Sequence, residues 1–356
     1  MKIAFLAAAN SPHTIKWANA FAAEHDVTVY SMPEQKDEMN ELCEKVKVVY
    51  LPYKISEGGF KKNAAQLQAY LTAENFGVVN AIGATTYGVL ATKAKAPRVL
   101  LTVLGPDVYA DVERGNKGLA LKSIKHADGI LAAAPNVITR VQSLFKKEKQ
   151  YFVAPFGVDL ELFKKIGEKT DEDHMCFGSL KALEFGDGVD LVLEAFGKYL
   201  EKTTGAATLK IIGTGSLENN LKQKAQSMGI ADKVEFMGHV KNVDLPSVLG
   251  TIDATVQMNI AEAFGVTGIE SMACEVPVVS SDTVGASEYI LNGVTGYLVK
   301  IGNTDRCCDC MMELRNAAMR NHMGELARGD MQELYNLPDC TKKYEQALRA
   351  VGTRVM

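Results

Sequence analysis

Short apolar runs alternate with amphipathic segments along most of the chain. Glycine, proline or charged residues bound the runs, as is typical of strands in βαβ units, and the intervening segments show helical periodicity. In the first half, strands are predicted at 2–8, 26–30, 46–51, 77–82, 98–103, 128–133 and 150–154. In the second half, they are predicted at 175–178, 209–213, 233–238, 254–257 and 276–280. This regular alternation predicts an α/β fold with parallel sheets.

The same pattern predicts where helices begin. Ser11 and Pro12 open the first helix, which runs to Phe21, because a serine hydroxyl can accept a backbone N–H bond and proline suits the first turn. Further helices are predicted at 189–199, at 217–228 and from Thr304 onward.

The pattern pauses once, near the middle of the chain. A turn at 155–159 precedes a charged stretch, 164–173, that is typical of an interdomain linker. With 356 residues the chain is long enough for two domains. We predict an N-terminal domain at 1–165, a second at 166–335 and a C-terminal helix at 336–356 that returns to the first. Ligands of such domains bind at the carboxyl ends of the strands, and the cleft between two domains is the expected site.

Composition excludes several classes of protein. A hydrophobic fraction of 47% argues against disorder, and a net charge of −4 with a pI of about 6.0 gives no case for nucleic-acid binding. No stretch of 18 apolar residues predicts a membrane span, and the run after Met1 breaks at Asn10 too early for a signal peptide. Seven scattered cysteines are typical of a cytoplasmic protein with reduced thiols. Cys307 and Cys310 lack a second pair of ligands, so no metal site is predicted.

Charge is divided unevenly along the chain. Residues 1–165 contain 21 Lys and Arg against 16 Asp and Glu, whereas the remainder contains 18 against 27. One region of the first half is especially basic, with Arg114, Lys117, Lys122, Lys125, Arg140, Lys146, Lys147 and Lys149. This region is either an ordinary solvated surface or attracts an anionic acceptor or membrane leaflet, where each cation contributes on the order of 1 kcal/mol.

The segment 261–279 is the most informative one chemically. A loop containing Glu262 leads through Gly265 into a helix that begins near Val266, and Glu270 lies about one turn inside that helix. Gly265 allows close approach of a ligand, and the helix N-terminus favours a diphosphate. The two carboxylates then suit hydroxyl groups of a sugar and a ribose. The alternative is that Glu262 is an ordinary acidic residue at a helix start and Glu270 a surface residue.

These two glutamates, seven residues apart, with Phe264 and Gly265 after the first, resemble the signature of the family-4 retaining glycosyltransferases. Further segments match this family in order along nearly the whole chain: 10–19, with its Ser-Pro-His-Thr start, 104–109, 155–163, 188–196, 209–215, 234–238, 281–288 and 292–296. The resemblance implies the GT-B fold of two Rossmann-like αβα domains with parallel sheets facing across a cleft. It also implies transfer of a sugar from a nucleotide diphosphate, most often UDP, with retained configuration and without a metal or other cofactor.

The resemblance also implies roles for individual residues. Glu262 would contact donor-sugar hydroxyls and Glu270 the ribose, while His239 and Val240 would lie beside the base. Gly213 opens a Gly-x-Gly turn that would line the donor site, although Glu218 replaces the third glycine of a dinucleotide motif. The remaining predicted donor-binding residues are Ser179, Lys181, Phe264, Gly265, Val266 and Thr267.

Two departures from the family concern catalysis. The family usually places two basic residues before the helix that starts at 189; here Lys181 is the only cation and Asp187 occupies the second place. Many relatives carry a histidine where this chain has Leu104. We therefore predict catalytic roles for Glu262 and Lys181, and treat Asp107 and His13 as further candidates, with a helix cap and local packing as their structural alternatives.

The sequence thus predicts a retaining, metal-independent glycosyltransferase, cytoplasmic or peripheral to a membrane, acting on a glycan, lipid-linked or small-molecule acceptor. A sugar-nucleotide epimerase or hydrolase of the same fold is one alternative. A nucleotide-sugar-binding protein without catalysis is another, because of Leu104 and Asp187.

Overall fold

The computed structural model describes residues 1–167 and 174–353. The chain divides into two compact units: Met1–Phe156 together with the segment that begins at Pro338, and Gly157–Leu337. The division falls after Phe156, earlier than the boundary predicted after residue 165. Of the predicted linker, residues 168–173 lie outside the described residues.

The N-terminal unit is built on a seven-stranded parallel sheet in the order β3-β2-β1-β4-β5-β6-β7. Its strands are β1 (Lys2–Leu6), β2 (Asp26–Ser31), β3 (Lys47–Tyr50), β4 (Val78–Ile82), β5 (Val99–Val103), β6 (Gly129–Ala132) and β7 (Gln150–Val153). Its helices are α1 (Pro12–Phe21), α2 (Glu57–Glu74), α3 (Gly88–Lys93), α4 (Lys117–His126) and α5 (Pro135–Leu144), with π-helical turns at Gly83–Tyr87 and Val112–Asn116. β4 and β5 are buried along their whole length, as expected of central strands covered on both faces.

Helix α1 begins as predicted at Pro12, but the predicted capping bond is wrong. Ser11 occupies the N-cap position with extended backbone, and its side chain makes no capping hydrogen bond. The other half of the prediction is confirmed: a proline occupies the first position of the helix, where its fixed φ is already helical.

The last helix, α12 (Leu337–Gly352), packs on the sheet of the N-terminal unit. The Tyr344 hydroxyl lies 2.5 Å from Asn80 Nδ2 and 2.8 Å from Thr102 Oγ1, between the two central strands. Its ring also meets Trp17 edge-on, with centroids 4.9 Å apart. Buried hydrogen bonds and aromatic packing therefore join the end of the chain to its beginning.

The C-terminal unit has a six-stranded parallel sheet in the order β10-β9-β8-β11-β12-β13. Its strands are β8 (His174–Leu180), β9 (Ala206–Ile212), β10 (Val234–Gly238), β11 (Ala254–Gln257), β12 (Val278–Ser281) and β13 (Gly296–Val299). Its helices are α6 (Val189–Lys202), α7 (Glu218–Ser227), α8 (Leu245–Leu249), α9 (Val266–Ala273), α10 (Thr304–Glu313) and α11 (Ala317–Leu334), with 3₁₀ turns at Ala231–Lys233 and Ala286–Glu288. The hydrophobic pattern did not predict β13.

The segment from Thr304 onward is helical, as predicted, and forms three helices, α10, α11 and α12. Asn316 separates the first two because its side chain accepts the N–H of Met319 and so starts a new helix. Pro338, in the first turn of α12, cannot donate to a continuing helix.

The cysteine cluster of α10 belongs to the apolar core. Cys307, Cys308 and Cys310 are fully buried, in one cluster with Phe196 and Tyr199 of α6. Burial raises the pKa of all three thiols, which therefore remain protonated. Within residues 1–167 and 174–353, no group of three or more His, Cys, Asp or Glu is arranged to hold a metal ion. No helix in this described part is long and apolar enough to cross a membrane.

Candidate functional site

Helix α9 begins at the carboxyl end of the C-terminal sheet, where its N-terminus is free to meet a ligand. Gly265 is its N-cap, with φ +94°, a conformation that disfavours any residue with a side chain. Because the N-cap is a glycine, it has no side chain that could accept an N–H bond from the first turn. The first N–H groups of a helix have no partner within the helix, so these groups and the helix dipole favour an anion at this position.

Lys181 and Glu262 form an ion pair directly beside this helix start. Lys181 follows β8 and Glu262 follows β11, and these strands are parallel neighbours, so their carboxyl ends bring the two residues together. The side chains are only 9% and 13% exposed, and the Lys181 ammonium donates to Glu262 Oε1. The structure therefore joins the two strongest catalytic candidates in a nearly buried pair.

Asp187 lies close enough to this pair to interact with both charges. Burial raises the pKa of its carboxyl, the Lys181 ammonium lowers it, and the Glu262 carboxylate raises it again. Lys181 thus faces two carboxylates. A diphosphate bound here must compete with both of them for the same ammonium group.

Two residues predicted to bind the donor lie at the ends of the strands near the Lys181–Glu262 pair. Ser179 is fully buried, and its hydroxyl has no hydrogen-bond partner within the described part of the chain. Gly213, with φ +142°, follows β9, and a Cβ there would collide with the carbonyl of Lys181. Gly213 therefore lets the β9 end approach Lys181, a packing requirement that applies whether or not it also contacts a ligand.

Glu270 is 4% exposed, so it is not the surface residue of the alternative interpretation. Its Oε1 accepts a hydrogen bond of 3.1 Å from Asn242 Nδ2. Asn242 belongs to the loop after β10 that also carries His239, which is exposed, and Val240, which is half-buried. Sequence reasoning missed Asn242, because the bond joins two loops that no periodic pattern relates.

The aromatic and polar residues around α9 fix its first turn. Phe264 is buried against the rings of Tyr289 and Tyr335, each with its centroid 5.9 Å away. The Thr267 hydroxyl accepts a hydrogen bond of 3.2 Å from Gln257 Nε2, at the end of β11. Gln257 and Tyr289 were also missed. A buried polar group at a strand end is the signal that could have found Gln257.

In the N-terminal unit, Asp107 is held by backbone groups. Its carboxylate accepts the N–H of Ala84 at 2.6 Å, of Gly105 at 2.9 Å and of Leu104 at 3.1 Å. Burial raises the pKa of this carboxyl to about 6, against the opposing effect of these bonds. Asp107 thus fixes the loop after β5 to the start of the π-helical turn, and its catalytic role stays a prediction.

His13, in the first turn of α1, stacks on Phe156 with ring centroids 4.2 Å apart. Burial, and secondarily the charge of Lys16, lowers the pKa of His13 to about 4. The imidazole is therefore neutral at pH 7 and can accept or donate a hydrogen bond but carries no charge.

The His13 shift predicts a pH dependence of stability. Between pH 6.5 and about 4, the unfolded chain binds a proton at residue 13 that the folded chain does not. The free energy of unfolding therefore falls as pH falls through this window, and His13→Gln is expected to reduce that fall. Urea unfolding at several pH values measures it, with His322→Gln at an exposed helix position as control. Equal pH slopes for wild type and His13→Gln would contradict the assignment.

Two family models of glycosyl transferases match this chain. The glycosyl transferase 4-like family model matches residues 2–139, and the model for glycosyl transferases group 1 matches residues 161–330. N-acetyl-alpha-D-glucosaminyl L-malate synthase of Bacillus anthracis is 25% identical over 312 residues, which cover 83% of this chain and 79% of the relative.

Two solved structures share the fold over nearly the whole chain. Sucrose-phosphate synthase from Thermosynechococcus elongatus superposes with a TM-score of 0.85 at 16% identity, covering 99% of each chain. Anabaena HepE in complex with UDP and glucose gives a TM-score of 0.83 at 16% identity, covering 98% of this chain and 99% of the other. These likenesses confirm the predicted α/β fold of GT-B type with two parallel sheets.

Proposed function

Because the chain belongs to the group 1 glycosyltransferases, we propose that it transfers the sugar of a UDP-sugar to an acceptor hydroxyl with retention of anomeric configuration. The observation that carries this proposal is the nearly buried Lys181–Glu262 pair at the N-terminus of α9. It combines a cation, a helix dipole and a carboxylate within one small site, which suits a sugar diphosphate.

Each part of the site matches one part of the donor. The N–H groups at the start of α9 and the Lys181 ammonium bind the diphosphate, whose negative charge grows as the sugar leaves. Glu262 accepts hydrogen bonds from sugar hydroxyls. Glu270, oriented by Asn242, accepts them from the ribose. UDP is favoured because the structurally similar HepE holds UDP and glucose.

The reaction needs no separate catalytic base. The bond between the anomeric carbon and the β-phosphate oxygen breaks, and the acceptor oxygen forms its bond to that carbon on the same face. The acceptor proton passes to the departing phosphate oxygen, so the products are UDP and the new glycoside. The protein's contribution is to stabilise the charge on the leaving diphosphate.

One observation favours a second candidate, a protein that binds nucleotide sugars without transferring them. Asp187 stands where the family usually has a second cation, and its carboxyl interacts electrostatically with the Lys181 ammonium that Glu262 already contacts. The developing phosphate charge would then have a single, already paired ammonium group for support.

For the acceptor we propose a small anionic molecule. The basic residues of the N-terminal half favour an anion, and exposed members of the cluster include Lys117, Lys122 and Lys146. Two similar proteins are named for products with an anionic part, a malate glycoside and a sucrose phosphate. Attraction to an anionic membrane surface is the competing explanation for the same charges.

UDP release measured across a panel of UDP-sugars tests these proposals. Release that depends on an anionic acceptor, such as a sugar phosphate or hydroxy acid, supports transfer. Release only with anionic vesicles supports the membrane explanation. Conversion of the UDP-sugar into another UDP-sugar indicates an epimerase, and release of UDP without any acceptor indicates a hydrolase. A raised melting temperature without release of UDP indicates a binding protein.

A further inference from the structure

The hydroxyl of Tyr289 is buried beside Glu262 and belongs to no hydrogen bond in residues 1–167 and 174–353. The residue is 4% exposed and follows the 3₁₀ turn after β12, with its ring against Phe264. Glu262 Oε2 is likewise buried and without a hydrogen-bond partner in that part of the chain. Two polar atoms that could satisfy each other therefore lie unpaired at the same place.

The backbone of α9 shows how close these atoms are. A Cβ on Gly265 would stand 2.6 Å from the Tyr289 hydroxyl and 2.8 Å from Glu262 Oε2. A Cβ on Gly268, one turn further, would collide with the same phenol. The phenol and the carboxylate oxygen thus both lie within 3 Å of the position that a Gly265 Cβ would occupy, a space that glycine leaves open.

Packing alone does not account for this hydroxyl. A buried hydroxyl without a partner lowers stability, and phenylalanine would fill the same space without that penalty. Burial, together with the nearby Glu262 charge, raises the pKa of Tyr289 well above its usual value. The phenol therefore keeps its proton and can only act as a donor towards the carboxylate.

We propose that Tyr289 is a positioning residue, whose hydroxyl holds the buried oxygen of Glu262 while donor is bound, so that the carboxylate is aimed at the donor sugar. Lys181 already contacts the other oxygen, Oε1, and its ammonium is needed by the diphosphate. Tyr289 supplies a second anchor that does not compete for phosphate. This inference rests on the proposed role of Glu262 in sugar binding.

Tyr289→Phe tests the inference, because it removes only the hydroxyl. We expect its affinity for UDP to be unchanged and its preference for UDP-glucose over UDP to fall about tenfold, the size of one hydrogen bond to a charged group. Turnover of any UDP-sugar that the wild type uses should fall by a similar factor. Isothermal titration with UDP and with UDP-glucose measures the first effect without requiring turnover.

A double-mutant cycle with Glu262→Gln separates positioning from packing. If Tyr289 acts through Glu262, Tyr289→Phe has little further effect in the Glu262→Gln background. Tyr297→Phe is the matched control, since Tyr297 is a buried tyrosine of the same unit whose hydroxyl donates to Glu313 instead. It should leave the preference for UDP-glucose unchanged.

Each outcome has a distinct meaning. Wild-type sugar preference in Tyr289→Phe, or an equal loss in both backgrounds, overturns the role of Tyr289. If Glu262→Gln itself leaves the sugar preference and turnover unchanged, the proposed function of Glu262 fails first. The unfolding midpoint of Tyr289→Phe should equal or exceed that of the wild type, so a large drop also argues against the inference.

Discussion

Glu262→Ala is expected to lower turnover by about 10²–10³-fold, the loss typical of removing one preorganised polar group from a transition-state site. The carboxylate is nearly buried beside the start of α9, where it is paired with Lys181. Glu262→Gln keeps the shape and removes the charge, and should show most of the same loss. Acceptor-dependent UDP release under saturating donor measures both.

A matched control for Glu262 is Glu194→Gln on helix α6. Glu194 also forms an ion pair with a lysine, Lys224, but this pair joins helices α6 and α7 and is more exposed than the Lys181–Glu262 pair. Its replacement should leave turnover within about twofold, because surface pairs contribute at most about 1 kcal/mol. Turnover of Glu262→Ala at the wild-type level would remove Glu262 from the mechanism.

Lys181→Met is expected to reduce turnover and stability together. Without its partner, the Glu262 carboxylate becomes a buried charge with no counter-ion, and breaking such a pair costs about 3–5 kcal/mol. The leaving diphosphate also loses its ammonium group, which should lower turnover by about 10²-fold or more. Urea unfolding and UDP release at a temperature where the variant is folded measure the two effects separately.

The double variant Lys181→Met with Glu262→Gln distinguishes the two losses. Neither side chain is then charged, so we expect much of the lost free energy of unfolding to return. Turnover should not return, because both the cation and the carboxylate are gone. Recovery of turnover along with stability would show that the pair serves folding alone.

The fold was predictable because its strands are short buried runs with turn residues at both ends. Residues 1–167 and 174–353 contain thirteen strands, and twelve of them were located in this way, most with ends displaced by one to three residues. The exception, β13 at Gly296–Val299, is only four residues long and follows a glycine-rich turn, so the turn signal outweighed the apolar run. It becomes a strand because β12 pairs with it along its whole length.

The candidate site was predictable where the chemistry lies on one contiguous segment. Glu262, Gly265 and Glu270 share a loop and helix, so their spacing was enough to relate them. Asn242 and Tyr289 are distant from this segment in sequence and approach it only in the folded chain. Asn242 donates to Glu270 from another loop, and the Tyr289 phenol packs against Gly265 and Gly268. The pairing of Lys181 with Glu262 depends on strand order in the same way.

The placement of helix α12 determines when the N-terminal unit can be completed during synthesis of the chain. A ribosome completes residues 157–337, and with them every strand of the C-terminal sheet, before the last helix of the N-terminal unit is made. Until then, Trp17 and Phe21 lack the Tyr344 ring that covers them in the finished protein. The N-terminal unit, although its sheet is synthesised first, can therefore complete its fold only after the whole C-terminal unit has been synthesised.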